Sequence, residues 1–290
     1  MASFVSSLRY LLADVIGEDD SALPFLPQGL PDEAITPVSD AIHLLMDYQS
    51  ASYAQLYVDR LRRFMGRQDI DAATFCEIAR LMAMRMSYED PIRIAQLKLA
   101  ELESGAGRAP STDVKTFRLD ELIDSLPAPV ADRALEALNM VGWLHKRVSI
   151  PFSTTSRWSV RRLKLEAGLK RWRQFSKRFE HERLWVERWL HMISRSIVKQ
   201  PDATPAVVET ATMVQGYGDV YRQGLADWHA IIDGLAKPAF DGALPLSDLS
   251  DAIAEARGAI MPDPRQVALK RKIAQIRARA LANDANAAAG

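Results

Sequence analysis

Between Arg161 and Val198, apolar residues recur at helical intervals. Leu165, Leu169, Trp172, Phe179, Val186, Leu190, Ile193 and Ile197 are separated by 4, 3, 7, 7, 4, 3 and 4 positions. That spacing lays one stripe along a helix of about ten turns, interrupted by Ser176 and Arg183. A striped helix is stable only when other elements cover the stripe, so the fold has to be built around helix packing. The rest of the chain agrees. A long helix is predicted from Pro37 to Met65, with Thr36 as cap, and another from Asp71 to Ser87. Asp90-Pro91 opens a third, Ile92 to Glu103, with a capping residue before a proline at the first helical position.

Shorter helices are predicted over Leu119–Leu126, Val130–Val141 (ending at Gly142), Ala206–Gln215, Asp219–Ala236 and Ser247–Ile260, the last capped by Ser247. One segment changes character. Around residues 145–160, Val148, Ile150 and Phe152 alternate among serines and threonines, which predicts a small β hairpin. The expected fold is mainly α, a multi-helix bundle-like domain with that one β element. Residues 1–35 are expected to hold a short helix (Phe4–Ile16) and a proline-punctuated loop. Residues 36–262 form the helical domain. Residues 263–290 form a basic, Ala-rich tail, either an exposed helix or partly disordered. Ser104–Ser111 is expected to be a flexible connection.

Composition narrows the chemistry. Cys76 is the only cysteine in 290 residues, which excludes an intrachain disulfide framework, a Cys-ligated zinc site and an iron–sulfur cluster held by this chain alone. Lys+Arg and Asp+Glu are both 37, so no whole-chain field favours nucleic acid or membrane. No run of about 18 apolar residues is present, and the N-terminus lacks the basic and apolar regions of a signal peptide. With a lone thiol, the expected location is the cytoplasm. Charge is uneven: residues 157–199 hold thirteen basic and four acidic side chains, whereas residues 1–60 hold nine acidic and two basic. Either end could face a partner.

No catalytic constellation is visible. The five histidines, His43, His145, His181, His191 and His229, show no metal-binding spacing. Gly216-Tyr217-Gly218 lacks the third glycine of a dinucleotide fingerprint, since Tyr221 occupies that place, and the pattern before it is helical. Its better reading is structural, with Gly216 ending one helix and Asp219 capping the next. Cys76 falls on an apolar helix face and reads as a packed thiol. Ser87 to Arg93 gathers an aromatic ring, two carboxylates and a guanidinium at a helix start, where Arg93 could bridge back to Glu89. Tyr88, Glu89, Asp90 and Arg93, with Tyr217, Asp219 and Arg222, are the candidate polar cluster. It is read either as an internal lock between helical layers or as the rim of a partner site. The basic segment also carries Trp158, Trp172, Trp185 and Trp189. A core helix with a solvated basic face, a protein-partner surface and a nucleic-acid grip remain alternatives for it.

Four blocks add a resemblance: MDYQSASYAQLYVDRL (Met46–Leu61), MSYEDPIRIAQLK (Met86–Lys98), LKRWRQFSKRFEHERLWVERWL (Leu169–Leu190) and GYGDVYRQGLADW (Gly216–Trp228). In this order and spacing the chain, over about residues 35–263, resembles the C-terminal helical domain of large-subunit bacterial indolepyruvate ferredoxin oxidoreductases. The resemblance implies a system that oxidatively decarboxylates arylpyruvates with thiamine diphosphate and coenzyme A, passing electrons through iron–sulfur clusters to ferredoxin. The family's γ-type domain and its thiamine diphosphate motif have no counterpart in these residues, so no catalytic or cofactor-binding residue can be carried over. The expectation is therefore a separately encoded or excised accessory domain, without cofactor of its own. The catalytic subunits would be its partners, holding thiamine diphosphate and the clusters, and ferredoxin would be met indirectly. A helical nucleic-acid-binding or protein-interaction module using residues 157–199 is the alternative function, and an independent enzyme the third.

Overall fold

The computed structural model describes residues 26–104, 111–126 and 128–289. The helix expected at Phe4–Ile16 and most of the connection expected at Ser104–Ser111 lie outside them. Among the described residues the architecture is mainly α with one two-stranded antiparallel sheet. The described residues divide into two units: those of 26–30, 35–63 and 82–184 form one, and those of 31–34, 64–81 and 185–289 the other.

The predicted helix Pro37–Met65 is two helices, α1 (Asp32–Tyr48) and α2 (Ala51–Leu61). Pro37 lies inside α1 rather than at its start. Burial of Ala34 and Val38 on either side favours helix there despite the hydrogen bond that proline cannot donate. The break has a local cause. Ser50 is extended (φ −167°, ψ 168°) and its side chain accepts from the Tyr53 amide at 3.2 Å, so it caps α2 and ends continuity with α1. Helices α3 (Ala72–Met86) and α4 (Pro91–Glu103) fall where the sequence places them, with Asp90 capping α4 by accepting from the Arg93 amide at 2.6 Å.

The β element predicted near 145–160 is present as a strand, Arg147–Ser153, but its partner is distant in sequence. Strand β1 (Thr112–Arg118) pairs antiparallel with β2 (Arg147–Ser153), in register from Thr112↔Ser153 to Arg118↔Arg147. Between them run α5 (Leu119–Asp124) and α6 (Ala128–Met140). Phe117 and Phe152 are the buried rings of the sheet, edge to face at 6.4 Å. Thr112–Ser153 and Thr116–Ser149 hydroxyl pairs bridge the strands on the exposed side. Lys98 of α4 holds the start of β1, donating to Ser111 Oγ and Asp113 Oδ2, each at 2.7 Å.

The ten-turn helix does not exist as one piece. It is α7 (Arg157–Gly168), a 3-10 segment (Leu169–Phe175) and α8 (Lys177–Lys199). Ser176 separates them: its hydroxyl donates to the Arg173 carbonyl at 2.7 Å and accepts from the Phe179 amide at 3.1 Å. The tighter winding of the 3-10 segment moves the stripe off register. Leu165 and Trp172 are 71% and 59% exposed, whereas Phe179, Val186, Leu190, Ile193 and Ile197 are buried as the spacing predicts.

In the second unit, Trp185 and Trp189 stack at 6.2 Å and Trp228 meets Trp185 edge to face at 5.3 Å. The Trp228 indole donates to Thr210 Oγ1 at 3.0 Å, which satisfies its only polar atom. After α8 come α9 (Thr204–Glu209), a 3-10 turn (Thr210–Met213) and α10 (Gly218–Ile231). A π-helical turn (Ile232–Ala236) leads into α11 (Lys237–Phe240), with Pro238 near its start. Helix α12 (Leu249–Arg257) is capped by Asp248, not Ser247. Helix α13 (Val267–Ala289) buries Leu269, Ile273, Ile276 and Ala280. Its Arg277 donates to the Gly234 carbonyl at 2.7 Å, and a Cβ on Gly234 would fall 2.8 Å from the Ile273 side chain.

The hydrogen bond from Lys98 holds the Asp113 carboxyl below the usual carboxylate range. Its stabilising contribution is therefore present above about pH 4 and is lost as the pH falls through the depressed value. Lys98→Met should raise the Asp113 titration toward the ordinary carboxylate range, read by carboxyl-carbon NMR, where an unchanged titration would contradict the assignment.

Candidate functional site

The break between α1 and α2 leaves the Tyr48 carbonyl at a helix C-terminus with no helical partner. Arg173 fills that vacancy: its Nη1 donates to the Tyr48 carbonyl at 2.6 Å and to Gln49 Oε1 at 3.2 Å. The other edge of the same guanidinium grips Asp90, Nε to Oδ2 at 2.7 Å and Nη2 to Oδ1 at 3.1 Å. Its carbon lies 3.8 Å from the Tyr48 ring centroid, a cation–π contact. Arg173 is 1% exposed and Asp90 is also buried. A bidentate fork is what permits such burial, because planar guanidinium and carboxylate satisfy one another without water. One side chain thus joins the negative end of α1 to the capping carboxylate of α4.

Further polar ties surround it. Arg93 donates to Asp47 Oδ2 at 2.7 Å, and Gln96 donates to the Asp47 carbonyl at 3.2 Å. The Tyr53 hydroxyl donates to the carbonyl of Met86, the last residue of α3, at 2.9 Å. Arg85 and Glu182 form a buried pair at 2.6 Å, and Arg178 lies 5.2 Å from the Tyr88 ring. Burial pushes the Tyr48, Tyr53 and Tyr88 phenols well above their ordinary range, so none is a ready proton donor near neutrality. Arg173 is pushed up as well, because Tyr48 and Asp90 outweigh the burial that opposes its charge. Here charges are neutralised in place and phenols are held protonated.

Of the predicted cluster, Tyr88, Asp90 and Arg93 are buried in the first unit, while Glu89 is exposed beside them. Arg93 pairs with Asp47, a partner 46 positions away, and not with the Glu89 anticipated for it. Tyr217, Asp219 and Arg222 belong to the second unit. There Gly216 (φ 70°) and Gly218 (φ 71°) flank an extended Tyr217, which occupies the cap position of α10 without a side-chain cap. Asp219 therefore sits in the first turn rather than at the cap, where it suits the helix dipole and pairs with Arg222 at 3.2 Å. Sequence reasoning missed Arg173, Tyr48, Gln49 and Gln96. Their one signal was co-occurrence in the quoted blocks, for Arg173 adjoins the stripe residue Trp172 and reads there as part of a solvated basic face.

Gly224 has a sharper role. A Cβ built on it would lie 2.1 Å from the Met213 carbonyl oxygen, so only glycine allows α10 to approach the 3-10 turn this closely. His229, on the same helix, accepts from Arg188 at 2.9 Å at Nδ1, and burial with that neighbouring charge lowers its pKa. Cys76 is half-buried and burial raises its thiol, consistent with an inert side chain. Among the described residues no group of histidine, cysteine and carboxylate side chains could hold a metal ion, and no helix is long and apolar enough to cross a membrane.

Compared with known proteins, residues 36–234 match the model of a family of unknown function, DUF6537. No curated protein and no solved structure matches the chain.

Asparagine caps a helix as well as aspartate does, so Asp90→Asn isolates the ion pair from the cap. Stripped of its counter-charge, buried Arg173 should cost about 3 kcal/mol, and Arg173→Met added to it should restore part of the loss in urea unfolding. Gly224→Ala should lower the melting temperature by about 4 °C or more despite alanine's better helix propensity, because the clash is with backbone.

Proposed function

The chain belongs to the DUF6537 family, and from that premise we propose that it is a non-catalytic accessory subunit of a 2-oxoacid (arylpyruvate) ferredoxin oxidoreductase. The observation that carries this reading is what the resemblance blocks do in the fold. Met46–Leu61 supplies Tyr48, Gln49 and Tyr53, Met86–Lys98 supplies Asp90, Arg93 and Gln96, and Leu169–Leu190 supplies Arg173. These groups converge on buried ties between helices. Blocks spent on internal rigidity suit a frame that shapes or shields catalytic subunits. In this reading thiamine diphosphate and the iron–sulfur clusters sit on those partners, electrons leave for ferredoxin from there, and the assembly works in the cytoplasm.

A second reading rests on the surface of α7 and the 3-10 segment. Trp158 is 80% exposed with Arg161 over its ring at 5.7 Å, and Trp172 is exposed among Lys170 and Arg171. Basic side chains interleaved with open aromatic faces suit a macromolecular partner, single-stranded nucleic acid included. Salt-sensitive retardation of single-stranded DNA or RNA would favour it, and no binding at low salt removes it.

Purification at native expression, with mass spectrometry and iron and thiamine assays, tests the first reading. The chain should emerge with 2-oxoacid oxidoreductase subunits; emergence alone, or turnover of arylpyruvate by the isolated chain, overturns it. Arg93→Ala separates lock from rim. Losing the part-buried contact to Asp47 should lower the melting temperature of the isolated chain, and a variant that melts normally but assembles poorly would place Arg93 at an interface.

A further inference from the structure

The second unit holds a cavity of about 420 Å³, the size of a small-molecule site. Its walls are mostly apolar: Met213 from the 3-10 turn, Val220 from α10, and Ile260, Pro262 and Pro264 from the segment between α12 and α13. Its backbone rim is fixed by the close approach at Gly224. One turn beyond Gly224, Asp227 also lines the cavity, and it is only 2% exposed.

Asp227 differs from the buried acids Asp90 and Glu182. Asp90 and Glu182 each face an arginine, but no lysine or arginine pairs with Asp227 among the described residues. Its two hydrogen bonds come from neutral amides, Gln223 Nε2 at 2.9 Å and Gln266 Nε2 at 2.7 Å, and both fall on Oδ1. Oδ2 has no hydrogen-bond partner among the described residues. Gln266 is itself the one described non-glycine residue with positive φ (57°), so the backbone is strained where the amide is brought in. A buried carboxylate is ordinarily matched by a cation, and here the protein orients it with dipoles and leaves the second oxygen open. The other acid of the lining, Asp219, is paired with Arg222, and the lining contains no basic residue.

We propose that this cavity binds a small organic cation, an alkyl- or arylalkyl-ammonium, with its ammonium group on Asp227 Oδ2 and its apolar body against Met213, Val220 and Ile260. An ammonium supplies the missing donors and charge at once, and the apolar walls favour a hydrocarbon body over a hydrated metal ion. The site is independent of the accessory role, which concerns the other unit's locked helices.

The test titrates the full chain at pH 7 with three isosteric probes, 2-phenylethylammonium, neutral 2-phenylethanol and anionic phenylacetate, by calorimetry and amide NMR. The ammonium should bind saturably, at least about tenfold tighter than the alcohol, with shifts at Gly224 and Asp227, and the anion should not bind. Asp227→Asn should weaken the ammonium at least about tenfold without improving the alcohol's rank. Should that variant not fold, Ile260→Trp, which fills the cavity and leaves the Asp227 amides intact, should abolish binding. Absence of saturable ammonium binding, equal affinity for the three probes, or unchanged binding in Ile260→Trp would overturn the proposal.

Discussion

The Arg173 guanidinium is the interaction on which the first unit depends. It meets a helix C-terminus, a helix N-cap and an aromatic face within one side chain's reach. Each would be costly to bury unpartnered: an orphan carbonyl, an isolated carboxylate and an isolated cation. Together they cancel. The arrangement also explains local features that propensity does not. The interruption at Gln49-Ser50 exposes the Tyr48 carbonyl, the Asp90-Pro91 start fixes the carboxylate, and the 3-10 winding of Leu169–Phe175 turns Arg173 inward while Trp172 turns out.

Much of this was legible residue by residue. Asp90-Pro91 announced a helix start through chemistry that acts over three residues, and it is found there. The lower half of the long stripe, Phe179 to Ile197, is buried because its period is carried by a true α-helix. The upper half misled because a period shows spacing and not continuity. Ser176 was visible as an interruption, but its capping bonds and the shift to three residues per turn are decided by what Arg173 reaches, 83 positions away in sequence at Asp90. Strand β2 was legible from alternation, and its pairing with β1 was not, since the β1 sequence TDVKTFR has few apolar residues and shows one buried side chain.

The candidate cluster illustrates the same division. Its members were chosen for residue type near helix starts. Tyr88, Asp90 and Arg93 are buried in the first unit, and Tyr217, Asp219 and Arg222 belong to the turn that opens α10 in the second. The residues that give each place its character are a buried arginine in one and an uncompensated aspartate beside a sterically required glycine in the other. Neither carries a local sequence signature, because what distinguishes them is which partners the fold brings or withholds.

The pairing of β1 with β2 fixes one more property. Ser111 and Thr154, the residues bounding the sheet, are joined by the Thr154 amide to the Ser111 carbonyl at 3.0 Å and by the Ser111 amide to the Thr154 hydroxyl at 3.1 Å. The polypeptide therefore departs and returns at adjacent points, and the excursion from 112 to 153 is closed at its base and tied further by the Lys98–Asp113 and Lys177–Asp132 pairs. A segment tethered that way can lengthen, shorten or be exchanged among chains at little entropic cost, about 0.6 kcal/mol for each doubling of length. Because Phe117 and Phe152 are buried and Asp113 is tied to Lys98, such changes are best absorbed between the two strands and not within them.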